Sequence, residues 1–206
     1  MSFLKKESPN EQFLSDPDVL LMLEFQKGNQ AAFEALMRKY YRRVLNFIYR
    51  FCANEESAED LTQEVFIKVY RQADKYTAQS KFQTWLFTIA KNLALNELRR
   101  PHYRQKKISI DEGQDDQPEL KMDLPAPKRS RPDYEILQQE KARAVQKAIA
   151  ALPENQRIAV LLRRYEDFSY EEIAQALNCS VEAVKSILNR AKNNLKDLLK
   201  DFIQDQ

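Results

Sequence analysis

Only two glycines, Gly28 and Gly113, occur in 206 residues, and charged side chains make up 31% of the chain. So little glycine with so much charge favours helices, and an all-α fold is expected. Phosphate-cradling loops need several glycines so that backbone amides can approach the ligand, and no such cluster exists here. P-loop and dinucleotide-binding folds are therefore excluded. The length exceeds what one compact helical domain needs, which predicts two small domains with a modest core each.

The remaining chemistry-bearing residues are sparse. The single histidine, His102, and the two cysteines, Cys52 and Cys179, lie far apart with no metal-ligand spacing, so no metal site is expected. Cys52, among Phe47, Ile48 and Phe51, reads as a buried thiol, and Cys179, in a predicted turn, as partly exposed. Neither is given a redox role. No residue set suits catalysis, and no cofactor is expected. Lys5 and Lys6 are followed by no apolar stretch, and no apolar run reaches the length of a membrane span. A cytoplasmic protein without membrane insertion is the expectation. The net charge of +2 is nearly silent, because acids and bases cancel over the whole chain, so their local distribution has to be read instead.

Asp16 followed by Pro17 predicts a first helix through Val19, Leu20 and Leu23 to a stop at Gly28. Asn29 can cap a second, whose Phe33, Leu36, Tyr40, Val44, Phe47 and Phe51 recur at helical steps. A third starts near Asn54 or Ser57, the latter at capping-box distance from Asp60, and continues through Leu61, Val65, Phe66 and Val69. Ser80 is expected to open a fourth, with Phe82, Trp85, Leu86, Ile89, Ala90 and Leu93 inward, stopped by Pro101. Residues 1–15 are expected to be a disordered extension, 16–100 a first domain, and 101–133 a flexible linker interrupted by Pro118, Pro125, Pro127 and Pro132. The acidic middle of that linker, including Asp111, Glu112, Asp115 and Asp116, reads as a solvated spacer.

The second domain, 134–206, should place Ile136, Leu137, Val145, Ile149 and Leu152 on one helix and Ile158, Leu161, Leu162 and Tyr165 on the next, separated at Pro153. Ser169 and Glu172 form an S-x-x-E capping box opening a short helix with Ile173, Ala174 and Leu177. Asn178, Cys179 and Ser180 make a tight turn, with Asn178 in the left-handed position, and Val181, Val184, Leu188, Ala191 and Leu195 continue as a longer helix. This is a helix-turn-helix pattern. Its second helix offers Lys185, Ser186, Asn189 and Arg190 on the outer face, where Asn can read adenine edges and Lys or Arg can read guanine or grip phosphate. Ser180, with free amides behind it, can hold a phosphate or serve as a cap alone.

Two segments of the first domain differ in character. From Lys91 to Lys107 the charge is almost uniformly positive (Lys91, Arg99, Arg100, Arg104, Lys106, Lys107 against Glu97), directly after Tyr76, Phe82, Trp85 and Phe87. Cations interleaved with aromatics suit an unstacked strand, although the aromatics also read as core. The third helix starts acidic, with Glu55, Glu56, Glu59, Asp60 and Glu64, and ends basic, with Lys68, Arg71 and Lys75, which complements the helix dipole. An acidic face repels nucleic acid, so a protein partner fits it better, on Asp60, Gln63, Glu64 and Lys68.

These residues resemble a known family. Asp60-Leu61-Thr62-Gln63-Glu64-Val65-Phe66 with Lys68 looks like the segment of sigma domain 2 that grips the clamp helices of RNA polymerase. Phe82-Gln83-Thr84-Trp85-Leu86, Ile89-Ala90-Lys91-Asn92-Leu93 and Leu98-Arg99-Arg100 resemble the part that melts and reads the minus-ten element. Ala151-Leu152-Pro153, Gln156-Arg157, Ser169-Tyr170-Glu171-Glu172-Ile173-Ala174 and Val184-Lys185-Ser186 resemble sigma domain 4, which reads the minus-thirty-five element. The lack of a third domain points to the extracytoplasmic-function (ECF) class of sigma factors.

The resemblance implies a non-enzymatic subunit that binds core RNA polymerase through Asp60, Gln63, Glu64, Phe66 and Lys68. It implies minus-ten contacts by Tyr76, Lys81, Phe82, Trp85, Lys91, Asn92, Asn96, Arg99 and Arg100, and minus-thirty-five contacts by Ser180, Lys185, Ser186, Asn189 and Arg190. It also implies an anti-sigma protein as partner, and a linker threading toward the polymerase cleft with its acidic residues imitating nucleic acid. One helix-turn-helix at the end of a linker favours a monomer, unlike an operator-binding regulator, which would dimerise. A helical adaptor binding only proteins is the other alternative, and it would have no need of Lys185 or Arg190. Ile187 and Leu188 stand where the family often carries a further basic residue, and Asn189 where a larger one is common, so promoter preference does not transfer.

Overall fold

The computed structural model describes residues 11–100 and 132–200, without the side chains of 132–139. Among these residues it contains eight α-helices and no strand, in two groups of four. The first group is α1 (Pro17–Gln26), α2 (Gln30–Cys52), α3 (Glu55–Arg71) and α4 (Phe82–Leu98); the second is α5 (Pro132–Ala151), α6 (Glu154–Tyr165), α7 (Tyr170–Leu177) and α8 (Val181–Leu198). The expected linker lies outside the described residues up to its last two positions, Pro132 and Asp133, which already belong to α5. Residues 11–15 are not the disordered tail expected of them. Glu11–Phe13 form a 3₁₀ turn, because Phe13 has apolar surface to pack against the core.

Helix starts follow local chemistry. The Asp16 carboxylate accepts from the amides of Asp18 and Val19, and Pro17 fills the first turn, where its missing N–H is no loss. Asn54, not Ser57, caps α3, its Oδ1 accepting from the Ser57 amide at 2.8 Å. Ser80 does not cap α4: Lys81 takes that position, and the Ser80 hydroxyl is spent on the Lys81 carbonyl at 3.4 Å. Left-handed backbone, ordinarily glycine's province, falls here on Ala53, Ala78, Asp167 and Asn178. Ala53 ends α2 in that conformation, with its amide returning to the Tyr49 carbonyl at 2.7 Å.

The core of the first group is aromatic. Leu36, Tyr40, Val44, Phe47, Ile48 and Phe51 form the inward stripe of α2, and each is at most 1% exposed. Edge-on contacts of Phe47 with Phe87 (5.3 Å) and Tyr40 with Phe82 (5.5 Å) lock α2 to α4. Each such side chain, fully buried, contributes about 1.5–3 kcal/mol. Asp18 is the buried charged residue among the described residues of this group, satisfied by the Lys39 ammonium at 2.7 Å and by the Tyr40 hydroxyl. Burial and this carboxylate together push the Tyr40 hydroxyl above its ordinary range.

The second group buries Ile149, Leu152, Ile158, Leu161, Leu162, Ile173 and Val184. Val145 and Tyr165, expected inward, are 39% and 38% exposed. Tyr165 instead lies under the Arg50 guanidinium at 4.2 Å, a pairing that serves both ring and cation at an open edge. The two groups do not hang apart. Their buried apolar residues form one connected cluster from Val19 to Val184, with Phe87 of α4 and Phe168 of the α6–α7 loop in edge contact at 5.7 Å.

Candidate polymerase and nucleic-acid interfaces

The S-x-x-E pattern folds as the sequence predicts. The Glu172 amide donates to Ser169 Oγ at 3.1 Å and the Ser169 amide to Glu172 Oε2 at 2.7 Å, closing the capping box of α7. Asn178 ends α7 at φ 53°, and Ser180 Oγ accepts from the Ala183 amide at 3.2 Å to start α8. Val184 and Ala191 bury the inner face of α8, and the Asn194 amide ties the helix to Gln156 Oε1 at 2.8 Å. Lys185, Ser186, Asn189 and Arg190 are all exposed, at spacings that make one outward row. Ser180 is exposed as well, although its hydroxyl already serves as a cap. The row suits a groove of duplex DNA: two cations and two amide or hydroxyl groups on a helix whose start is fixed by the turn before it.

On α3, Asp60 and Gln63 are exposed, while Glu64 and Lys68 are half-buried and pair with each other at 3.7 Å. Phe66 is not presented to a partner. It is 5% exposed and stacks under Tyr41 at 5.9 Å, because its step along the helix turns it inward. The face carries apolar groups that sequence reasoning passed over: Ile67 and Tyr70 are each 49% exposed, and Tyr70 is braced by Phe25 and Phe33 at 5.2 and 5.4 Å. An exposed Ile beside Asp60, Gln63 and Lys68 makes the mixed polar and apolar surface typical of protein contacts. Only its place in the helical register could have signalled it.

The segment before α4 is held as a fixed loop. Gln26 Nε2 donates to the carbonyls of Ala73 (2.6 Å) and Tyr76 (2.8 Å), and the Tyr76 hydroxyl donates to the Ser80 carbonyl at 2.9 Å. Tyr76 and Phe82, expected to meet DNA, are 3% and 0% exposed. They form the packing behind the loop, since rings beside Tyr40 and Trp85 gain more from burial than from solvent. Trp85 is half-buried and keeps an edge open.

Asn92 and Asn96 are exposed on the distal half of α4, and Arg99 and Arg100 just past its end, with Arg100 paired to Glu97 at 2.9 Å and Arg99 reaching Glu154 of α6 at 3.7 Å. Lys91 is half-buried and engaged in this conformation, whereas Lys81 keeps about half of its side chain exposed beside its partner. Lys81 pairs with Glu172 at 3.0 Å and Lys91 donates to the Ala176 carbonyl at 2.8 Å, with burial lowering the Lys91 pKa. Among the described residues no group of His, Cys, Asp or Glu is arranged to hold a metal ion, and no helix is long and apolar enough to cross a membrane.

A helix-turn-helix with an open polar row, following a bundle with a mixed polar and apolar face and a helix flanked by Lys81, Arg99 and Arg100, is the build of a transcription factor that needs both protein and DNA. Residues 36–104 match the family model for Sigma-70 region 2, and residues 142–195 that for Sigma-70 region 4. The chain is 34% identical over 194 residues to the RNA polymerase sigma-H factor of Pseudomonas aeruginosa, covering 92% of this chain and 97% of that one. It is 33% identical over 187 residues to the ECF RNA polymerase sigma-E factor of Escherichia coli K12, covering 91% and 96%. Among solved structures it is similar to the Bartonella quintana sigma factor RpoE in complex with the anti-sigma factor NepR. That likeness has a TM-score of 0.58 at 26% identity and covers 82% of this chain and 96% of that one. The chain belongs to the sigma-70 family, in its ECF group. It is a sigma factor, which binds core RNA polymerase and directs it to promoters to begin transcription.

Proposed function

We propose a division of labour among the named surfaces. Residues 16–100 form the polymerase-docking and minus-ten domain, 101–133 the connection, and 134–206 the minus-thirty-five domain. Asp60, Gln63, Glu64, Ile67 and Lys68 dock core polymerase, with Phe66 as support from beneath. Trp85, Asn92, Asn96, Arg99 and Arg100, together with Lys81 and Lys91 once freed, hold and read the opened minus-ten strand. Lys185, Ser186, Asn189 and Arg190 read the minus-thirty-five duplex, with Ser180 at the helix start. The observation that supports this most directly is the unbroken exposed row on α8 behind a fully formed capping box and turn.

Polymerase performs the catalysis, and the sigma subunit supplies specificity alone, working in the cytoplasm where the promoters are. An anti-sigma protein controls it, as the complex of the Bartonella quintana relative with NepR suggests.

The test is run-off transcription with bacterial core polymerase, a library of upstream regions and the wild-type, Asp60→Ala or Arg190→Ala protein. Promoter-specific transcripts that weaken in both variants are expected, Arg190→Ala by about 1–3 kcal/mol if it meets a base. No transcripts, together with tight unaided DNA binding, would instead indicate an operator-binding regulator.

A further inference from the structure

A helix that enters the major groove meets base edges first with the residues at its own start. The open row on α8 begins only at Lys185, past the first turn of a helix that starts at Val181. Within that first turn Val181 and Ala183 are half-buried, Val181 packing on the core, and Val184 is fully buried. Glu182 is exposed. It precedes Lys185, Ser186 and Asn189 by three, four and seven positions, the spacing of a single helical face. The Ser180 hydroxyl, accepting from the Ala183 amide at 3.2 Å, fixes the turn on which Glu182 sits. Side chains of a helix tilt toward its N-terminus, which carries this carboxylate to the leading end of α8.

An acid at this place is costly beside DNA unless it is compensated, because phosphates repel it. It stays charged there: its own backbone amide and the Ser180 hydroxyl hold the Glu182 carboxyl below the usual carboxylate range, with the Lys185 ammonium adding to the effect. Among the described residues Glu182 forms no ion pair within 4.0 Å. The carboxylate is therefore an acceptor at the front of the helix, with room to receive an N–H from outside the protein.

Base edges decide what such a group can select. In the major groove guanine shows two acceptors, and thymine an acceptor and a methyl group, which offer a carboxylate nothing. Adenine sets its N7 acceptor beside its amino group, whereas cytosine presents the N4 amino group alone. Lys185, one turn further on, suits the guanine acceptors of the same base pair or the next.

We infer that Glu182 determines specificity in the minus-thirty-five helix, its carboxylate accepting from the N4 amino group of a cytosine at the leading end of α8 and rejecting the other three bases. The inference rests on the reading of α8 as the minus-thirty-five helix. An acid in the first turn also complements the positive start of the helix. Loss of that role alone would weaken every promoter alike and would carry no base preference.

The test uses holoenzyme assembled from the full chain and bacterial core polymerase, on a promoter library randomised across the upstream element, with transcripts counted by sequencing. The wild type is expected to favour cytosine at one position by roughly tenfold, the scale of a single base contact. Glu182→Ala is expected to flatten that position through gains at the other three bases, since the repulsion leaves with the carboxylate. Glu182→Gln is expected to move the preference to adenine, whose N6 and N7 match an amide. A helix-start role produces neither change, and the urea midpoint of each variant reads that role separately. Retention of the wild-type preference at every position in both variants overturns the inference. Arg190→Ala distinguishes this from failure of the underlying assignment. A preference altered by Arg190→Ala but by neither Glu182 variant removes Glu182 alone, whereas no alteration in any of the three removes α8 as the reader.

Discussion

Arg157 and Glu166 are 7% and 5% exposed, and they meet the cost of buried charge in different ways. The Arg157 guanidinium donates to the carbonyls of Phe51 (2.8 Å), Leu152 (3.2 Å) and Ala150, and lies over the Phe51 ring at 5.2 Å. Carbonyls at helix ends need donors, so the buried cation satisfies them as they satisfy it. Glu166 is less well served. Burial pushes it up to about 7, with Arg43 and Arg50 pulling it down and Asp167 adding to the rise. The packed protein thus holds this proton more tightly than the unfolded chain, where the carboxyl titrates near its ordinary 4.5. Its contribution to stability is complete below that value and is lost as pH rises through about 7. The urea midpoint of the full chain is expected to fall between about pH 5 and about pH 8, and Glu166→Gln to flatten that fall. Neither role was legible in the sequence. A charged residue in a periodic pattern reads as solvated, and one partner of each, Phe51 for Arg157 and Arg43 for Glu166, lies on α2, more than a hundred positions away.

Elements were far more legible, wherever the signal was local. Asp16-Pro17, the Ser169–Glu172 box and Asn178 each name a backbone conformation through chemistry within four residues, and all three formed. Ser169→Ala is expected to cost about 1 kcal/mol, and Ala53→Gly, at a left-handed helix end where alanine is strained, to gain about 1 kcal/mol; both are read from chemical denaturation. Local signals misled where two residues competed for one role. Of Asn54 and Ser57 it is Asn54 that caps α3, and Lys81 stands where Ser80 was expected. The candidate site divides along the same line. The α8 row follows from helical spacing alone, whereas the burial of Tyr76, Phe82 and Phe66 depends on rings from α2 and α4 that no single helix reveals.

For the whole molecule, two domains read from the sequence do not mean two independent cores. Since the buried cluster runs through both groups, unfolding is expected as one transition, with Trp85 fluorescence from the first group and far-UV circular dichroism from the whole chain coinciding along a urea series. Separate midpoints would mean that the groups melt apart. The arrangement was illegible beforehand because each contact in it joins residues that composition assigns to different domains. It also has a kinetic and concentration aspect. The two halves are covalently joined between Arg100 and Pro132, so each faces the other at an effective concentration of millimolar order whatever the amount of protein in the cell. Contacts between the groups that would be too weak to join separate fragments can therefore hold within the joined chain. A partner that needs the two groups apart competes against a fixed local concentration, not a diluted one.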